Sequence, residues 1–122
     1  MIKCYKNGNI SLYLSFQMRI IAVKTLKDYW VKFPQVEQSL LSWYEEAEEA
    51  NWNSPNELKA QYRNASILTD KRVVFNIHGN GFRLIVDIEY RLKILFVVWF
   101  GTHPQYDKID AKKVSYVKTN KK

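Results

Sequence analysis

The sequence predicts an α+β domain with its helices packed on one face of a mainly antiparallel sheet, and two observations predict it. Apolar residues recur at helical spacing between Thr25 and Ala50, whereas between Lys71 and Phe100 they recur with period two in three closely spaced runs. Helices gathered early and strands gathered late leave the strands adjacent in sequence, and adjacent strands joined by tight turns pair antiparallel. At 122 residues the chain has the size of one domain, since domains run to about 100 to 150 residues. Apolar residues at 47% and charged residues at 25% sit near globular averages, which excludes wholesale disorder.

The elements follow in order. Residues 10 to 17, ISLYLSFQ, place Ile10, Leu12, Leu14 and Phe16 on one face and Ser11, Tyr13, Ser15 and Gln17 on the other, the alternation of a strand. They belong to a segment, residues 1 to 17, that reads either as an N-terminal extension or as sequence upstream of a start at Met18. Arg19 to Val23 is a short β-branched run and the next strand expected. Thr25 is expected to cap a helix through Phe33, with Leu26, Tyr29, Trp30 and Phe33 at helical spacing. Pro34 interrupts and suits the first turn of a second helix, from Gln35 to Ala50, whose stripe is Val36, Leu40, Trp43, Tyr44 and Ala47. Ser54, Pro55 and Glu57 have the spacing of an N-cap, a first-turn proline and a capping box, so a short helix starts there. Strands are expected over Lys71 to Ile77, Phe82 to Glu89 and Lys93 to Phe100, the first two joined by the hairpin His78-Gly79-Asn80-Gly81. From Ala111 to Lys122 the chain carries five lysines and no acid, which predicts a frayed basic tail.

Charge and cysteine usage narrow the function classes. Residues 35 to 52 hold five glutamates and no Lys or Arg, so the chain's +7 includes −5 from this stretch and leaves +12 on the remainder. A strongly basic remainder is either a solubilising surface or the footprint of a phosphate-rich partner such as nucleic acid. The single Cys4 allows no internal disulfide, and with His78 and His103 it supplies too few soft ligands for a structural zinc site. No Walker loop, dinucleotide-binding glycine pattern or HExxH motif occurs, so neither a cofactor nor a metal is expected. The longest apolar run, Ile94 to Phe100, has seven residues where a membrane helix needs about 20, and a cytoplasmic protein with no membrane partner is expected.

Alternation then selects the candidate site residues. If Leu84, Val86 and Ile88 face the helices, Arg83, Ile85 and Asp87 face the other way, and so do Arg72, Val74 and Asn76 on the preceding strand. Arg83 reads either as a bidentate phosphate contact or as half of an ion pair with Asp87. Lys71, nearer the loop, has a stem long enough to reach a ligand at that face. His103 follows the last strand directly, with Tyr106 and Asp107 on its side of a helix if one begins there, and Lys108 next. Imidazole titrates near neutral pH and suits proton transfer, although a histidine at a helix start is often only structural. His78, in the hairpin, reads as an exposed turn residue.

The segments MRIIAVKTLKDYWVKFP, SPNELKAQY, RVVFNIHGNGFRLI and FGTHPQYDKID together resemble the HigB toxins of type II toxin-antitoxin systems, within the RelE-like group of mRNA interferases. The resemblance runs from Met18 to about Asp110, and residues 18 to 110 are therefore the expected toxin domain. It implies a RelE-like fold, ribosome-dependent cleavage of translated mRNA, and neutralisation by a helix-turn-helix, HigA-like antitoxin through which alone operator DNA is engaged. Carried onto this chain, it implies that Arg83 binds the scissile phosphate with Lys71 or Arg72 adding charge. His103 would be the general acid or base, and Tyr106 would stack on a base or assist proton transfer. Asp107 would orient His103 or cap its helix, Lys108 would hold RNA backbone, and Asn76 and Asn80 would contact RNA or fix the hairpin. The alternative is a module that binds RNA or the ribosome without cleavage, acting by blockade or as an operon co-repressor.

Overall fold

Left-handed backbone positions at Ala22, His78, Gly79 and Lys93 set the turns of the sheet. The computed structural model describes residues 18 to 115, so the strand expected over residues 10 to 17 and the end of the basic tail lie outside the described residues. β1 (Arg19–Ile21) is followed by α1 (Val23–Lys32), a 3₁₀ turn at Pro34–Val36, α2 (Glu37–Glu49) and α3 (Pro55–Gln61). Then come β2 (Ser66–Ile67), β3 (Arg72–Ile77), β4 (Phe82–Glu89), β5 (Ile94–Thr102) and the single-turn helix α4 (His103–Tyr106). The hairpin between β3 and β4 turns at His78 (φ 58) and Gly79 (φ 64), and Lys93 (φ 59) completes the turn into β5. The sheet runs in the order β1-β5-β4-β3-β2; β1 pairs parallel with β5, and every other pair is antiparallel.

The fold class expected from the periodicities is the one observed, with several boundaries moved for physical reasons. β1 stops at Ile21 because Ala22 takes φ 78 and turns the chain directly into α1, which starts two residues before Thr25. Thr25 caps nothing; it is buried within the helix. Pro34 starts a 3₁₀ turn instead of α2 itself, so α2 begins at Glu37. At α3, Ser54 Oγ accepts from the Glu57 amide as expected, but the Glu57 carboxylate reaches back to the amide of Asn53 (2.9 Å), one residue before the cap. The two-residue β2, at the sheet edge, was not anticipated.

The main core lies between the helices and one face of the sheet. Leu26, Leu40, Trp43 and Ala47 from the helices meet Val73, Phe75, Leu84, Val86, Leu95 and Val97 from the strands. The opposite face is not open along its whole length. Val74, Ile85 and Val98 form a second, smaller cluster covered by Tyr106, Ile109, Ala111 and Val114, so the chain after α4 folds back over the sheet. Ala111 and Val114, at the start of the expected tail, therefore pack on the sheet. Among the described residues, no helix is long and apolar enough to cross a membrane.

Candidate functional site

Strand register lays the second face out in three rows. Asn76, Arg83 and Gly101 lie opposite one another across β3, β4 and β5; Val74, Ile85 and Trp99 form the next row; Arg72, Asp87 and Phe96 form the third. Rows two residues apart are separated by about 7 Å, so the outer rows stand about 13 Å from each other. One irregularity makes this layout. Ile85 is opposite Trp99 but Val86 is opposite Val97, which leaves Val98 as an extra residue in β5. Val98 and Trp99 consequently both serve the second face, while Val97 and Phe100 both serve the main core. The bulge changes the phase of the strand end, and Gly101 comes to lie opposite Arg83.

Arg83 is half-buried and its guanidinium sits over the Tyr106 ring, 5.7 Å from the centroid. Its Nη1 donates to the carbonyls of Asn80 (3.1 Å) and Phe82 (3.2 Å), and no carboxylate among the described residues pairs with it. The expected Arg83 and Asp87 ion pair does not form. Four residues along one strand span about 13 Å, whereas cross-strand register sets Arg72 beside Asp87, and those two make the bidentate pair (Nε to Oδ1 2.5 Å, Nη2 to Oδ2 3.0 Å). Arg72 Nη1 also donates to the carbonyls of Ala111 (2.9 Å) and Val114 (2.8 Å), and its side chain is 13% exposed. Arg72 lies on the face that alternation gives it, but its donors are engaged within the protein and anchor the covering segment, where the resemblance implies added charge for a phosphate. Lys71, expected near the reacting groups, lies at the same far end and meets Glu89 (3.5 Å).

His103 is placed by backbone chemistry. Its amide donates to the Gly81 carbonyl (2.8 Å), which ties the end of β5 to the hairpin that carries Arg83 two residues later. Thr102 and Gln105 form a reciprocal capping box, and Pro104 occupies the first turn of α4. His103 Nδ1 lies 3.4 Å from the Asp107 carboxylate, with the two side chains 45% and 60% exposed. Asp107 thus faces the imidazole, and Lys108, exposed, follows it. His78 is elsewhere: its ring meets Ser39 Oγ (3.3 Å) on the helix side.

The structure therefore brings Asn76, Arg83, His103, Tyr106 and Asp107 to one end of the sheet, and leaves Lys71 and Arg72 at the other. It adds two residues that the sequence reading missed. The Trp99 ring lies 6.3 Å from Tyr106, and its benzo edge covers Gly101 so closely that a Cβ there would come within 2.6 Å of it. Among the described residues, no group of three His, Cys, Asp or Glu is placed to hold a metal ion. The groups gathered here can move a proton (His103), bind an oxyanion (Arg83) and stack on a base (Tyr106).

Fold and site define a small α+β domain with a guanidinium, an imidazole and aromatic rings at one sheet end, a combination suited to a polynucleotide strand. The chain belongs to the HigB toxin family: the family model for the RelE-like toxic component of a toxin-antitoxin system matches residues 36–109, more than half of it. It is 28% identical over 96 residues to the mRNA interferase toxin HigB of Escherichia coli K12, a match that covers 77% of this chain and 92% of that protein. The mRNA interferase HigB proteins of Escherichia coli O157:H7 and Shigella flexneri match to the same extent. The resemblance carried by the GNGFRLI and GTHPQYDKID segments is thus borne out.

Proposed function

We propose that this chain is the mRNA-cleaving toxin of a toxin-antitoxin pair, an endoribonuclease that cuts translated mRNA in the ribosome and so inhibits translation. The observation that carries the proposal is Arg83, paired with no carboxylate among the described residues, beside Tyr106 at the sheet end where His103 begins α4. Cleavage of RNA by its own ribose requires a base to take the 2′-hydroxyl proton, a cation to stabilise the pentacoordinate phosphate and an acid to protonate the leaving 5′-oxygen. Arg83 supplies the cation and His103 moves a proton, held in orientation by Asp107. Tyr106 supports the guanidinium through its ring face and lies one helical turn from His103, in reach of a second proton transfer or of a base. Asn76, beside Arg83 in the same row, and Lys108 contact the RNA strand. Lys71 and Arg72 fall outside the reacting set, because they stand at the far end of the sheet.

The partner that restrains such a toxin is an antitoxin with a helix-turn-helix domain of the HigA type, and operator DNA is reached only through it. The site of action is the cytoplasm, with the translating ribosome. Inducing the chain without its antitoxin, then mapping new mRNA 5′ ends, tests the reading. Wild-type protein is expected to arrest growth and create codon-linked ends, and His103→Ala and Arg83→Ala to abolish both while remaining folded. Growth arrest without new ends would replace cleavage by blockade of the ribosome.

A further inference from the structure

We infer that Trp99 is a stacking platform for a nucleobase, purine in preference to pyrimidine, next to the phosphate held by Arg83. The inference rests on the RNA-cleaving reading of the site. Uninterrupted alternation from Leu95 and Val97 would send residue 99 into the main core, and the bulge at Val98 instead turns the indole onto the site face. There the ring reaches along β5 over Gly101, the residue opposite Arg83, and occupies the place of the side chain that Gly101 lacks. A half-buried indole that covers the residue opposite Arg83 lies within about one nucleotide of a phosphate held there, an arrangement by which proteins hold single-stranded RNA.

Two further observations set Trp99 apart from a ring that merely fills the second cluster. Its plane is tilted 51° from Tyr106, so the two rings are not stacked face to face on each other. Its indole N–H has no acceptor among the described residues and, unlike the equally unpaired N–H of the core residue Trp43, is not buried. That donor is available to a phosphate or to the edge of a base. Stacking is sequence-tolerant, with preferences that follow the strength of stacking, and the larger purine surface gains more from an indole.

The test uses the full-length toxin on ribosomes programmed with mRNAs that differ only in the base flanking the cut. Wild type is expected to favour a purine there. Trp99→Leu is expected to lower cleavage at purine sites about tenfold and to level the purine and pyrimidine rates, with Trp99→Phe between the two. A folded Trp99→Leu protein with wild-type rates and an unchanged base preference would overturn the role of Trp99. Should Trp99→Leu fail to fold, Trp99→Phe decides: an unaltered preference and rate would overturn the role in the same way. A wild-type protein that cuts none of these mRNAs would instead remove the cleavage reading itself, which separates the two failures.

Discussion

At the scale of single residues, the site separates into groups that residue type reveals and groups that only register reveals. His103, Tyr106 and Arg83 were legible because imidazole, phenol and guanidinium after or within a strand are few in this chain and alternation assigns their face. Trp99 and Gly101 were not, because one extra residue in β5 breaks the alternation that would have placed them. Asp87 was assigned to the wrong arginine for a related reason: spacing along one strand says nothing about the neighbour across the ladder. Gly101 yields a prediction at this scale. A methyl group there would meet the Trp99 ring at 2.6 Å and the side-chain Oε1 of Gln105, which caps α4, at 2.7 Å. Gly101→Ala is expected to destabilise the protein by about 1 to 3 kcal/mol through overpacking, read by urea denaturation, and to displace the indole, which lowers cleavage as well.

At the scale of elements, the helical stripes and the period-two runs were readable, while helix starts were not. Helix entry is decided by how the chain leaves the sheet, as at Ala22, and a cap residue such as Thr25 is only one way to do it. The segment after α4 escaped the reading too, since its few apolar residues, Ile109, Ala111 and Val114, find their partners on the sheet and show no period of their own. Arg72 holds that segment by two carbonyls and is itself held by Asp87. Asp87→Ala leaves a largely buried guanidinium without its counter-charge and is expected to cost about 1 to 3 kcal/mol, less than a fully buried pair because Asp87 is 35% exposed. Arg72→Lys keeps the charge but loses the planar fork. Amide exchange should then rise at Lys113 and Val114, whose N–H groups bond Asp110, while the strands remain protected.

At the scale of the whole molecule, the switch of period between the two halves made the fold class legible, whereas the parallel edge was invisible because β1 and β5 are far apart in sequence. Stability at high pH is also a property of the whole. The Tyr90 hydroxyl is buried without a hydrogen-bond partner among the described residues, and burial pushes its pKa up to about 12. Tyr62 is raised as well, by burial first and then by its hydrogen bond to Glu46 and that carboxylate's charge. A group whose folded pKa exceeds its unfolded one stabilises the fold fully below the unfolded value, and that contribution disappears as pH rises through the folded value. Stability should therefore fall between about pH 10 and 12. Tyr90→Phe is expected to flatten part of that fall in urea titrations, and to raise neutral-pH stability by up to about 1 kcal/mol by removing an unpaired hydroxyl. The parallel contact has a consequence in time. Arg19 waits for Ile94, and α4 is made after β5, so a chain emerging from its own ribosome holds neither a complete sheet nor an assembled site until the residues through Tyr106 have emerged. If the proposed function holds, the growing chain has nothing to restrain before its last strand and α4 emerge, and the ribosome building it is spared by the order of synthesis.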